Sequence, residues 1–540
     1  MNLLASLNLL EIESMKPILT ALLICFPSLL AAADSSDDKA GQPNIVIIMV
    51  DDMGFSDLGC YGGEIPTPNL DALAAAGVSF TQFYNTGRCC PTRASLLTGL
   101  YSHQAGIGAM TGDAGLPGYR GFLNDRCVTI AEVLRPAGYF TAITGKWHVG
   151  DGDDSRLPLQ RGFDRFYGVP EGGGFYFQLK PGRTIRLNNE ILHSVNNPLP
   201  QGWYSTDAWT EYGLRFIDEA RAADKPFFLY LAHNAPHFPL QAAPEDIAKF
   251  RGRYKAGWDQ MRQQRYHQLK ERGIVSADWP LPPRDTTVEA WDALTPKQQD
   301  DLDHRMALHA AVMHRLDRSI GFLVDGLKER GVLENTLLMF LSDNGASDEG
   351  GLPGKFGPGT PGDAQSDVYF GRAWANASNT PFRLYKKNSH EGGIATPLIA
   401  HWPAGIAARG QRCTQPAHVI DLMATCVDLV GASYPETHNG KPIQPMEGVS
   451  LKPLFISPSV SPPRSRALYW EHMGHAAVRD GDMKLVRQGR NGPWELYDMS
   501  ADRTELNNLA TEYPDQAQAL AEKWEAWAER ARVKPYPSGK

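Results

Sequence analysis

Four apolar runs that each end in polar, chemically active side chains constrain this chain more than any other feature. They read "PNIVIIMVDDMG" (43–54), "YFTAITGKWHVG" (139–150), "PFFLYLAHNAPH" (226–237) and "TLLMFLSDNG" (336–345). β-Branched and aliphatic residues without polar alternation fit strands buried on both faces, as in a parallel sheet covered by helices. The segments between them read as those helices. "TPNLDALAAAGV" (67–78) has Thr67 as N-cap, Pro68 at the first helical position and Gly77 as terminator. Further helices are expected around 128–136, 207–222 and 300–330, and a further strand at "TPLIAHWP" (396–403). The alternation predicts an α/β fold, a large doubly wound mixed sheet flanked by helices. In open sheets of this kind ligands bind beyond the carboxyl ends of the strands. Asp51, Asp52, Lys146, His148, His237, Asp343 and Asn344 all lie at such ends and are expected to converge.

The character of the chain changes near residue 455. "RALYWEHMGHAAVRDGDMKLVRQ" and "WELYDM" read as short antiparallel strands, with "RDGD" as a hairpin turn. "YPDQAQALAEKWEAWAERARV" reads as an amphipathic closing helix. We therefore expect a catalytic domain over 42–455 and a small α+β subdomain over 456–540, joined by the Pro/Ser-rich "SPSVSPPRS". At the other end, Met15-Lys16 precedes an apolar stretch and "AAA" at 31–33, the pattern of a signal peptide over 1–33. Glu11 and Glu13 do not suit a positively charged leader, so translation is expected to start at Met15. Ile24 before Cys25 does not suit a lipoprotein site. The expected location is periplasmic or secreted, with no membrane span in the mature part. A net charge of −8 provides no basic face for nucleic acid.

Beyond the leader six cysteines remain, too few for a disulfide-built scaffold and without C-x-x-C spacing. Two are adjacent, in "GRCCPTRASLLTG" (87–99). Pro91 favours a first helical turn and Gly99 a stop, which puts Cys89 at a helix N-terminus. There the helix dipole, and Arg93 one turn on, favour a thiolate. Asp51, Asp52, Asp343 and Asn344 are four hard oxygen donors, suited to Ca²⁺ or Mg²⁺. A soft thiolate beside a hard ion is a mismatch, and it disappears if residue 89 does not stay a cysteine.

The residues "CCPTR", followed by "ASLLTG", resemble the C-x-P-x-R signature of the formylglycine-dependent sulfatases, a branch of the alkaline phosphatase superfamily. Other blocks resemble the same family in order: "NIVIIMVDDMGFSDLGCYGG", "GKWHVG", "APHFPLQAAPEDIAKFRGRY", "LSDNGA", "RLYKKNSHEGG" and "WELYDM…ADRTELNNLA". The third is most similar to bacterial arylsulfatases. The resemblance implies that Cys89 is oxidised to Cα-formylglycine by a formylglycine-generating or anaerobic sulfatase-maturating enzyme, while Cys90 fills the variable position. It implies a metal site of Asp51, Asp52, residue 89, Asp343 and Asn344, with Ca²⁺ as the family's ion and Mg²⁺ compatible with the same ligands. Arg93, Lys146 and Lys386 would bind the sulfuryl oxygens, His148 the formylglycine hydrate, and His237 the leaving oxygen. Asp343 would help to deprotonate the nucleophile. His233 falls outside the match and reads as structural; Lys387 is the neighbour set aside in favour of Lys386.

The reading is a sulfuric ester hydrolase acting on aryl sulfates or on sulfated carbohydrates. The alternatives are a phosphonate monoester or phosphodiester hydrolase of the same superfamily, and a non-catalytic binding relative. The last should have lost site residues, and none is missing. Aromatic and Gly-rich loops at 170–183 and 349–374 are expected to form the pocket rim.

Overall fold

The fold is described from a computed structural model, over residues 41–351, 354, 356–459 and 466–537. The expected signal peptide lies outside the described residues, as do positions 460–465 of the expected connection. The strand Asn44–Val50 lies at the centre of the large sheet. It pairs in parallel with Thr336–Ser342 on one side and Phe227–Ala232 on the other. Phe140–Lys146 and Arg165–Val169 extend the parallel set. Ala395–His401 pairs antiparallel to Thr336–Ser342 and to Val78–Tyr84, which makes the sheet mixed.

The central strand shows why its sequence has no polar alternation. Val46, Ile48 and Val50 enter one apolar core, and Ile45, Ile47 and Met49 enter the other. The first core is covered by the helices Pro68–Ala76, Ser205–Ala222 and Pro296–Glu329, the second by Cys89–Thr98, Ile130–Leu134 and Asp421–Val430. Both faces are thus dry, as a doubly wound sheet requires.

A separate sheet of four antiparallel strands spans Leu468–Asp498 and packs with the helix Pro514–Arg530. Its apolar cluster takes in Tyr101 and Ile420 from the main body, and Trp470 Nε1 donates to the Asn85 carbonyl at 2.8 Å. Residues 42–540 accordingly form one compact unit. Among the described residues no helix is long and apolar enough to cross a membrane.

Candidate active site

The strand ends bring the expected residues together. Asp343 directly follows Thr336–Ser342 and its amide donates to the Val50 carbonyl at 3.0 Å, so the two acidic strand ends abut. Asn344 Nδ2 donates to Asp52 Oδ1 at 2.7 Å. Ligand atoms of Asp51, Asp52 and His237 lie within 4.8 Å of one another, all buried. Two oxygens in this cluster, Asp51 Oδ1 and Asn344 Oδ1, are buried without a hydrogen-bond partner among the described residues. Buried polar atoms are rarely left so. Carboxylate and amide oxygens with spare lone pairs fit a hard divalent cation.

Cys89 opens the helix Cys89–Thr98, whose ten residues are all buried and which Gly99 ends at φ 68°. Thr92 Oγ1 locks the first turn by donating to the Asp343 carbonyl at 2.6 Å. The Cys90 thiol beside it, with Lys146 and His148, outweighs burial and holds the Cys89 thiol well below its ordinary range. Arg93 does not bond back to Cys89. Its Nη2 donates to Asp343 Oδ2 at 2.8 Å and its Nη1 to the Lys146 carbonyl at 3.1 Å. Cys90 points away from the acidic cluster, onto the Ala109 carbonyl and Met110 Sδ, each at 3.5 Å.

Lys146 Nζ donates to Asp51 Oδ2, and Lys386 Nζ lies 2.7 Å from Asp52 Oδ1. Lys386 is buried whereas Lys387 is partly exposed. Burial opposes ionisation of Asp51, yet Lys146, His237 and Arg93 hold it well below the usual carboxylate range. Burial and the Asp51 charge push Asp343 well above that range despite Arg93.

His237 Nε2 sits 3.7 Å from Asp52 Oδ2, and its Nδ1 faces the Phe238 carbonyl at 2.5 Å. Burial lowers its pKa while Asp52 and Asp51 raise it. His148 has a left-handed backbone, φ 55°, and Asp52 has another, φ 73°. Such conformations in bulky residues persist where the surroundings enforce them, commonly at functional sites. Burial and Lys146 bring His148 down to about 4. His233 is buried outside the cluster, and burial lowers it to about 3.

Two features were not visible in the sequence. Glu349 bridges Arg88 at 3.3 Å, Lys386 at 3.1 Å and Lys387 at 3.1 Å. The "EGGG" segment 171–174 lies across both histidines. A Cβ at Gly172 would come 2.1 Å from His148 Nε2, and one at Gly174 2.5 Å from the Phe238 carbonyl and 3.1 Å from His237 Nδ1. Only the rim position of this loop was legible.

A buried nest of cations around acidic strand ends defines a hydrolase for an anionic ester. The "Sulfatase" family model matches residues 43–432, and the "N-sulphoglucosamine sulphohydrolase, C-terminal" model matches 382–530. An arylsulfatase of Klebsiella aerogenes is 36% identical, covering 80% of this chain and 96% of its own. A sulfatase of Schizosaccharomyces pombe is 34% identical over 90% of this chain and 93% of its own. A solved structure described as "Ps i-CgsB" superposes with a TM-score of 0.68 at 28% identity, covering 92% of this chain and 94% of that one. The chain belongs to the sulfatase family, and it is a sulfuric ester hydrolase.

Proposed function

We propose that the chain is an exported, arylsulfatase-type enzyme whose residue 89 works as Cα-formylglycine beside Ca²⁺. The observation that carries this reading is the position of Cys89. It is the first residue of a buried helix, within reach of Lys146 and His148, next to carboxylates that a thiol would not accompany at a hard-metal centre. A hydrated aldehyde there supplies one hydroxyl for attack on sulfur and a second for release of sulfate. Asp51, Asp52, Asp343 and Asn344 would hold the cation, which draws charge from the sulfuryl oxygens.

The remaining chemistry belongs to this chain's side chains. Lys146, Lys386 and Arg93 oppose the negative charge of the sulfuryl group. All three are buried, where charges interact more strongly than in water, and each is held in place by a carboxylate of the site. Asp343, whose Oδ2 accepts from Arg93 Nη2, is placed to take up the proton released beside residue 89. His237 stands beside Asp52, burial holding its pKa below the ordinary value against the pull of Asp52 and Asp51, and it donates to the departing oxygen. His148, held neutral, keeps an accepting nitrogen towards residue 89. Maturation requires a formylglycine-generating or anaerobic sulfatase-maturating enzyme, and export rests on the apolar segment after Met15.

The test is sulfate release from 4-nitrophenyl sulfate by protein co-produced with a maturating enzyme. The reading expects turnover that Cys89→Ala abolishes. Equal turnover by Cys89→Ala would overturn it.

A further inference from the structure

The cations described above each have an acidic partner. Arg88 and Lys387 reach Glu349, Arg93 reaches Asp343, Lys146 reaches Asp51, and Lys386 reaches Asp52. Arg183 on the rim differs. Its guanidinium has no hydrogen-bond or ion-pair partner among the described residues, although it is half-buried. It lies over the "EGGG" segment, where a Cβ at Gly173 would come 3.3 Å from Arg183 Nη2. The flanking glycines are the two that touch His148 and His237. Arg183 is therefore separated from both histidines by a single backbone strap.

The loop that carries Arg183 is built to hold it there. Thr184 closes the base, its Oγ1 donating to Glu171 Oε1 at 3.1 Å and its amide to Oε2 at 3.3 Å. This engages the carboxylate of Glu171, at the start of the strap, and keeps it from the guanidinium. On the outer side, Lys180 pairs with Asp367 at 2.9 Å and Gln178 Nε2 donates to the Ala364 carbonyl at 2.6 Å. The Arg183 amide itself closes a turn onto the Lys180 carbonyl at 3.1 Å. Across the mouth, Phe238 stacks on Tyr369 with ring centroids 4.2 Å apart, and Phe238 also stacks on His237 at 4.2 Å. A ring leaving from the His237 side would lie beside this aromatic pair, next to the strap that Arg183 covers at Gly173.

We propose that Arg183 selects sulfate esters whose leaving group carries a second oxyanion, a carboxylate or another sulfate, and that it binds this group as a bidentate fork. This deepens the proposed function and rests on it. A guanidinium presents parallel N–H donors that match a planar or tetrahedral oxyanion. Left without a counterion beside a site for monoanions, it favours dianionic over monoanionic substrates.

The test compares three substrates on the matured enzyme and on Arg183→Ala and Arg183→Lys: phenyl sulfate, 3-carboxyphenyl sulfate and benzene-1,3-disulfate. The readout is the kcat/KM of each dianion divided by that of phenyl sulfate. Arg183→Ala should lower this ratio roughly tenfold to a hundredfold through KM, as loss of a charged hydrogen-bonded pair implies. Arg183→Lys, which keeps the charge but not the fork, should restore part of it. A fall with the carboxylate alone or the disulfate alone identifies which oxyanion the fork takes. An unchanged ratio for both, including a common loss on all three substrates, overturns the proposal while leaving the sulfatase reading intact. No turnover of any substrate by the matured wild type would overturn the sulfatase reading and this inference with it.

Discussion

Lys484→Met should destabilise the protein severely, because Lys484 neutralises two buried acids at once. Its Nζ lies 2.8 Å from Glu391 Oε1 and 2.8 Å from Glu505 Oε1, and all three side chains are fully buried. Glu391 also accepts from Arg503 Nε at 2.7 Å and from the Tyr84 hydroxyl at 3.1 Å. Burial would raise the Glu391 carboxyl, but Lys484 and Arg503 outweigh it and hold it at about 2. Removing the lysine leaves Glu391 with Arg503 and leaves Glu505, fully buried, with no ion-pair partner among the described residues. Breaking a buried ion pair in this way costs about 3–5 kcal/mol. A folded-state pKa of about 2 against an ordinary 4.5 means that the Glu391 contribution is fully present above pH 4.5 and is lost as pH falls towards 2. In the variant, acid relieves the unpaired carboxylate instead. The stability gap in urea unfolding should therefore be widest at neutral pH and should narrow below pH 4.5. Adding Glu505→Gln to Lys484→Met should recover part of the loss, since Glu505 is the acid left without an ion-pair partner among the described residues. A single-variant cost under about 1 kcal/mol, or a gap independent of pH, would refute the reasoning.

Gly172→Ala should lower kcat on aryl sulfates by roughly a hundredfold with little change in fold, because its Cβ would displace the His148 ring, and displacements near 1 Å have that effect; circular dichroism and steady-state kinetics check both halves. Chelation followed by dialysis should lower both thermal stability and activity, and Ca²⁺ should restore the melting temperature in a concentration-dependent way. Asp52→Asn should weaken that Ca²⁺-dependent stabilisation, which calorimetric titration of the metal measures directly. Cys90→Ala should keep activity within about threefold, since its sulfur rests on the Ala109 carbonyl and Met110 rather than on the acidic cluster.

The core of the site was legible because its residues are tied to strong local patterns. Asp51 and Asp52 end an apolar run, Asp343 and Asn344 end another, and Cys89 opens a helix with Pro91 in its first turn, so each could be placed from its own neighbourhood. Residues whose role depends on distant partners gave no such sign. Glu349 lies on a Gly-rich loop without periodicity, and nothing local ties it to Arg88, 261 positions away. Glu391, which opens the short helix Glu391–Ile394, pairs with Lys484 and Arg503, 93 and 112 positions on. Arg93 could be placed one helical turn from Cys89, but not its partner: Nε and Nη2 both donate to Asp343 Oδ2, from a strand end 250 positions away. The strand order was also hidden, since Ala395–His401 joins antiparallel to strands far from it in sequence, without a hairpin to mark the pairing.

The central claim, that residue 89 acts as formylglycine, is tested most directly by one mass. Trypsin cuts after Arg88 and after Arg93, releasing the pentapeptide Cys89–Arg93 from protein purified from its native host. The account predicts a peptide in which one sulfur and two hydrogens have given way to one oxygen, with fragmentation placing the change at residue 89. A peptide with both cysteines intact in catalytically active protein would contradict it.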